Sequence, residues 1–382
     1  MSQSWVPSEI IVNDKVRNDS VTKRILKKCK NAPVIYVADG KPSSVINASR
    51  ILSKSGKGII DKVLAGKRVL YIGPVSGGTV DTFEMPDSRI LCPHFERLKL
   101  ASNGCFYQCD WCYLKLTFRA NYPYIAVRAE YKTIIEQLRK RLDSTSEPVI
   151  FNSGELADSL SLEHLTGAAR KFIPWFGKQK NGYLFMLTKS DNVDDILDLK
   201  HNKHTIIAWS MNNAKVSRKF EIGAPPFKRR LKAARKVEKA GYRLRIRLDP
   251  IVPIKGWRDL YSETIERIFN KVSPERITLG TLRFEEGLYR LRNSLFTTGN
   301  TLPEMLENKM EPMFKPKHIP GKKRPSIGKY SFTEKKRVKI FNFAINEIRK
   351  YSDCTIALCK ESKRVWERVG LDPDKCDCVC QL

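Results

Sequence analysis

The sequence predicts an α/β protein whose parallel sheet carries helices on its outer side. The first observation is rhythm. Between residues 95 and 285, short apolar runs alternate with amphipathic segments about six times, at roughly 30-residue spacing. The second is chemistry at the strand ends, where a polar residue repeatedly follows an apolar run. The third is contrast, because the chain before and after lacks that rhythm. Three parts follow: an N-terminal extension (1–90), the repeating body (91–285), and a basic, cysteine-rich appendage (286–382). Spacing alone fits a partial (β/α) barrel and a doubly wound sheet equally.

In the extension, VIYVA (34–38) and RVLYIG (68–73) read as strands, with the loop signals DGKPSS and GPVSGGT between and after them. RLKLAS (97–102) reads as a strand running into the first of three clustered cysteines. Over 129–143, Ile134, Ile135, Leu138 and Leu142 form one helical stripe among charged residues. PVIFNS (148–153) is a strand, SLEHLTGAARKFI (161–173) a helix and YLFMLTK (183–189) a strand. A short helix at 193–199 leads to the strand TIIAWSMN (205–212). FKRRLKAARKVEKAGY (227–242) is a helix stopped by Gly241, and its basic side reads as a solvated outer face. The strand RLRIRLDP (243–250), a helix at 258–271 and RITLGTL (276–282) close the series. A basic tract (314–339), a helix (333–350) burying Val338, Phe341, Ile345 and Ile348, and the tail follow.

Lys and Arg total 70 against 41 Asp and Glu, a net charge of +29. Such an excess favours a polyanionic partner, nucleic acid first, over a merely basic enzyme surface. No run reaches the roughly 18–20 apolar residues of a membrane span, and the N-terminus lacks the apolar core of a secretion signal. The expectation is a cytoplasmic protein that does not enter a membrane. Thiols stay reduced there, so ten cysteines point to metal more than to disulfides.

Three of them form Cys105-x3-Cys109-x2-Cys112 within NGCFYQCDWCYLKL. No regular helix or strand face presents three thiolates so spaced, but a loop can wrap them around an iron–sulfur cluster. A [4Fe–4S] cube normally takes four thiolates. Three leave one iron open to chelate the amino and carboxylate groups of S-adenosylmethionine (SAM), whose reductive cleavage yields a 5′-deoxyadenosyl radical. A zinc site would want a fourth ligand at a second paired spacing, and none is near. The spacing is that of the radical SAM superfamily, which implies the partial (β/α)6 barrel. Ligands bind at the carboxyl ends of parallel strands. The ends here offer Ser153-Gly154-Glu155, similar to the superfamily's GGE-type contact to the SAM amino group, then Lys189, Ser210, Asn212 and Asp249. Each alone reads equally as a helix cap; together they favour a cofactor site formed by Glu155, Lys189, Ser210 and Asp249.

The chain resembles the spore photoproduct lyase family, radical SAM enzymes that reverse a thymine–thymine lesion in DNA. WVPSEIIV, CDWCYL, LEHLT (162–166), LTK (187–189), RRLKAARKVEKAGYRL (229–244), KGW (255–257) and SIGKY (326–330) carry the resemblance. It implies cluster ligation by the three cysteines, SAM contacts from Lys189 and Ser210, and an external electron donor such as flavodoxin or ferredoxin. It also implies a DNA-contacting hairpin with Arg324 and Lys329. The departures are as informative. The family quenches its product radical with a cysteine thiol just after the second strand, but FNSGELADSL (151–160) has no cysteine, and Glu155 stands about there. Of the two tyrosines flanking the third cluster cysteine, one is Trp111 and the other is kept as Tyr113, a catalytic candidate; Pro325 replaces an aromatic beside Arg324. The lost thiol favours a rearrangement (isomerase) of a 5-substituted thymine in a DNA hypermodification pathway. The alternatives are a lyase with another donor, such as Cys92 or a tail cysteine, a non-catalytic iron–sulfur DNA-binding protein, and a radical enzyme acting on RNA or a small molecule.

Cys359, Cys376, Cys378 and Cys380 are candidates for a second metal, zinc or iron–sulfur, with reduced surface thiols as the plainer reading. The 314–339 tract suits phosphate contacts, and a duplex base would have to flip out to be reached. Phe314 and Tyr330 are the aromatics placed to wedge or stack.

Overall fold

EIIVN has an apolar centre, Ile10–Val12, and VLYIG is apolar along its length, the signature of parallel strands covered on both faces. Both are buried throughout in the computed structural model, which describes residues 5–85, 88–118, 122–295, 310–314, 329–376 and 380–382. It is a mixed α/β fold whose described residues gather into two compact units.

The first unit draws on residues 1–82, 96–107 and 114–205. One sheet runs in the order Val34–Val37, Glu9–Asn13, Val69–Gly73, Ile125–Arg128, all parallel, with Ala101–Ser102 antiparallel at the edge. The strands of the extension join one from the body around Ile11, Val37, Val69, Tyr71 and Tyr124. Phe95–Leu98, Val149–Asn152 and Gly182–Thr188 form a second parallel array. The helix Tyr131–Asp143 buries Ile134, Ile135, Leu138 and Leu142, the predicted stripe. RLKLAS, expected as one strand, splits between the two sheets. The expected 161–173 helix breaks into Glu163–Thr166 and Ala168–Phe176, because Gly167 adopts φ 63°. The expected 193–199 helix is one 3-10 turn, Asp194–Ile196.

The second unit draws on 83–95, 108–113 and 206–382. Its parallel strands are Thr205–Ser210, Arg243–Ile251, Arg276–Thr281 and Thr355–Leu358, in that order. The last was not expected from sequence. Phe227–Lys239 buries Phe227, Leu231, Ala233, Ala234 and Val237, with Gly241 at φ 85° just beyond it. Arg283–Glu285, Lys329–Ser331 and Glu311–Phe314 make a small antiparallel sheet. Glu334–Arg349 is the predicted C-terminal helix. Among the described residues no helix is long and apolar enough to cross a membrane.

Candidate cluster and cofactor site

The three cysteines lie in an irregular loop between Ala101–Ser102 and the helix Leu114–Phe118. Its first part belongs to the first unit. Asn103 takes φ 51°, a left-handed conformation asparagine tolerates. Its side-chain amide donates to the carbonyls of Tyr122 (2.7 Å) and Tyr124 (3.3 Å), and Thr117 Oγ1 donates to its Oδ1. Gly104 bridges to Ala157, and a Cβ there would meet Ala101 Cβ at 2.6 Å and Ala157 Cβ at 2.9 Å. Only glycine lets the loop approach so closely. Lys67 Nζ donates to the carbonyls of Cys105 and Tyr107. Trp5 stacks on Phe106 at 4.9 Å.

The second part belongs to the second unit. Gln108–Cys109 pairs antiparallel with Glu221–Ile222, and Asp110 N donates to Phe220 O at 2.9 Å. Cys112 N donates to Cys109 O at 3.1 Å, and Trp111 packs 6.0 Å from Phe220. Beneath the ladder, Glu221 pairs with Arg230 at 2.6 Å, both side chains at most 1% exposed. Arg230 also donates to the Pro225 and Ser210 carbonyls and to Ser217 Oγ.

Cys109 is buried, Cys105 and Cys112 are half-buried, and all three thiols are free of disulfides. Three thiols on one irregular loop, with no fourth paired ligand in its sequence, fit an iron–sulfur cube that keeps one iron open. Among the described residues no set of three or more His, Cys, Asp or Glu is placed to hold a single metal ion. A cube makes a different demand, since each thiolate binds its own iron and the sulfurs stand apart.

In the first unit the strand ends draw two expected cofactor residues into one neighbourhood with Cys105. Gly154, ahead of half-buried Glu155, lies so near the 182–188 strand that a Cβ would sit 2.8 Å from Leu187 Cβ. Asp158 then fixes the end of that strand. Its carboxylate accepts from Thr188 Oγ1 (2.6 Å), Lys189 N (2.7 Å), Ser161 N (2.9 Å) and Leu160 N (3.1 Å). Burial pushes its pKa up despite these donors. In the second unit Ser210 is in register with Arg247, so its strand end lies beside that of Asp249. The Asp249 carboxylate accepts from Arg247 (2.7 Å) and Arg283 (2.9 Å). Burial alone would raise its pKa, but Arg283 and Arg247 hold it well below the usual carboxylate range. Asp249 is thus committed to two guanidiniums, which orders the strand end more than it offers a free carboxylate.

Tyr113 is 37% exposed where the loop ends. Lys329 is turned inward, 14% exposed, with Nζ 3.4 Å from Glu285 Oε1; burial and the charge of Lys360 lower its pKa. Arg324 and Cys378 lie outside the described residues, as does most of the basic tract. Cys359 is buried, and Arg247 Nη2 donates to its sulfur at 2.7 Å, a neighbour unfavourable to a bound cation. Sequence reasoning missed Lys67, Asn103, Asp158 and the Arg230–Glu221 pair. Asn103 just before the Gly-Cys pair is the one local signal that was available.

A family model described as Spore photoproduct lyase matches residues 5–342. The curated spore photoproduct lyase of Geobacillus sp. (strain Y412MC61) is 35% identical over 185 residues, 48% of this chain and 53% of the relative. That of Clostridium acetobutylicum is 24% identical over 252 residues, 65% of this chain and 72% of the relative. The chain thus spans about half the length of the first of these. A solved spore photoproduct lyase complexed with dinucleoside spore photoproduct superposes with a TM-score of 0.77 at 22% identity, covering 94% of this chain and 100% of that one. A double variant with bound AdoMet and the same dinucleoside gives 0.75 at 22% identity, covering 93% and 99%.

Proposed function

Because the chain belongs to the spore photoproduct lyase family, we propose that it is a radical SAM enzyme that reverses a thymine-dimer lesion in DNA. The observation that carries this reading is the three-cysteine loop, without a disulfide, inside the family match. Cys105, Cys109 and Cys112 would hold a [4Fe–4S] cluster, and Glu155, Lys189, Ser210 and Asp249 are the residues proposed to contact SAM. When bound, the cluster and SAM supply a 5′-deoxyadenosyl radical. The chain's own part is to orient and to shield. Asp158 anchors the backbone before Lys189, Arg247 and Arg283 lock the strand end at Asp249, and Tyr113 stands exposed at the loop's end. Family membership also supports the partial (β/α)6 barrel, an external electron donor such as flavodoxin or ferredoxin, and DNA contacts from Arg324 and Lys329.

The family supports lesion reversal over the rearrangement that the missing thiol suggests. Lesion reversal then needs a hydrogen donor other than residue 155, since a carboxylate cannot give up a hydrogen atom. The rearrangement remains the second reading, and Glu155 is the observation that favours it. Incubating the reconstituted protein with SAM, a reductant and an oligonucleotide carrying the spore photoproduct separates them. Catalytic restoration of thymine is the expected result. An active enzyme that cleaves SAM but leaves the lesion intact would overturn lesion reversal in favour of rearrangement.

A further inference from the structure

Lys67 caps the helix Ile59–Gly66 at its C-terminal end and is 2% exposed. Its Nζ donates to the Cys105 carbonyl at 3.2 Å and to the Tyr107 carbonyl, and it lies 5.2 Å from the Phe118 ring centroid. Among the described residues no carboxylate pairs with it. Removing an ammonium from water is costly unless an anion compensates. Two carbonyl dipoles and an aromatic face compensate only part of that cost. The fold nevertheless spends a buried lysine on the backbone that flanks the first cluster thiol.

An iron–sulfur cube with three thiolates is a net anion, and reduction adds one more negative charge. Such a group beside the loop would be the counter-charge that Lys67 lacks. We propose that Lys67 is a positioning residue of the cluster: its ammonium fixes the path of residues 105–107 through two carbonyls, and its charge favours the reduced cluster. The step it assists is the transfer of one electron from the external donor to the cluster. No covalent bond forms or breaks, and the added negative charge is balanced in part by the fixed cation. This inference rests on the three cysteines holding a cluster, and on nothing about the DNA substrate.

The test is an anaerobic redox titration of the reconstituted full chain, followed by the electron paramagnetic resonance signal of the reduced cluster, without DNA. Lys67→Gln keeps a donor and removes the charge; Lys67→Arg keeps the charge. The expected result is a lower midpoint potential in Lys67→Gln at undiminished iron content, with recovery toward wild type in Lys67→Arg. A tenfold fall in the reduced-to-oxidised ratio at fixed potential corresponds to about 59 mV for one electron. Wild-type midpoints in both variants would overturn the proposal. So would a shared loss of fold in the iron-free variants, seen by thermal unfolding, which would make Lys67 a core residue and no more. A wild-type chain that takes up no iron would instead sink the cluster reading itself.

Discussion

Residues 103–107 of the cysteine loop are held largely by the side-chain hydrogen bonds of Lys67 and Asn103, beside the Gly104–Ala157 bridge, whereas residues 108–112 are held by backbone pairing over a buried ion pair. In the first stretch, Lys67 donates two hydrogen bonds, Asn103 donates two and accepts one, and Trp5 lies on Phe106. In the second, the 108–109 and 221–222 backbones pair, and Arg230 neutralises Glu221 below them. The difference teaches where each half is vulnerable. Side-chain anchors can be removed one at a time, each at modest cost. A backbone ladder offers no such handle and fails only when the support beneath it fails.

The largest expected effect is therefore at Arg230. Arg230→Met takes the Arg230 charge away from the buried Glu221 carboxylate, which costs about 3–5 kcal/mol. Combining it with Glu221→Leu should restore most of that loss, a sign that the isolated charge and not the packing was at fault. Urea unfolding of the two single variants and the double variant measures this. A loss below ~1 kcal/mol in Arg230→Met would break the comparison.

Next in size is a pH effect under the first half. A cavity of about 30 Å³ is lined by Ala101, Gly104, Ala157, Asp158 and Glu163 among others. Burial raises the pKa of Glu163 from 4.5 to about 7, although its carboxylate accepts from Ala169 N and Arg170 N. The folded state then binds the proton more tightly than the unfolded chain. That contribution to stability is complete below pH 4.5 and is lost as pH rises toward 7, about 3 kcal/mol at most. Glu163→Gln should flatten this part of the stability–pH curve. An unchanged difference between wild type and variant from pH 4.5 to 7 would show that Glu163 titrates normally.

The smallest effect sharpens the account of the first half. Asn103→Ala removes two donated bonds and one accepted bond and leaves a non-glycine residue at positive φ, for about 1–3 kcal/mol. Asn103→Gly relieves the strain and should lose less. Equal losses would mean that conformation contributes nothing there.

Much of this fold was legible from local pattern. The strands at 149–152, 182–188, 205–210, 243–251 and 276–281 and the helix stripe of 131–143 follow from periodicity, and the cysteine spacing points to the cofactor chemistry proposed above. What escaped depends on partners distant in sequence. Thr355–Leu358 is a four-residue run whose identity as a parallel strand comes only from Arg276–Thr281 beside it. The strands of the extension were found, but not the sheet they build with Ile125–Arg128. Lys67 is one of 70 basic residues, and nothing adjacent distinguishes it. Arg230 sits in a helix read as a solvated basic face, yet it is fully buried because Glu221 waits across from it.

The central claim is that three thiols of one loop hold a SAM-cleaving cluster. The most direct measurement is the electron paramagnetic resonance spectrum of the reconstituted, reduced chain with and without SAM, alongside Cys105→Ala, Cys109→Ala and Cys112→Ala. The account predicts a [4Fe–4S] signal that changes when SAM is added, with formation of 5′-deoxyadenosine, and loss of both in each variant. An iron-loaded wild-type signal that ignores SAM, or one that survives all three substitutions, would contradict it.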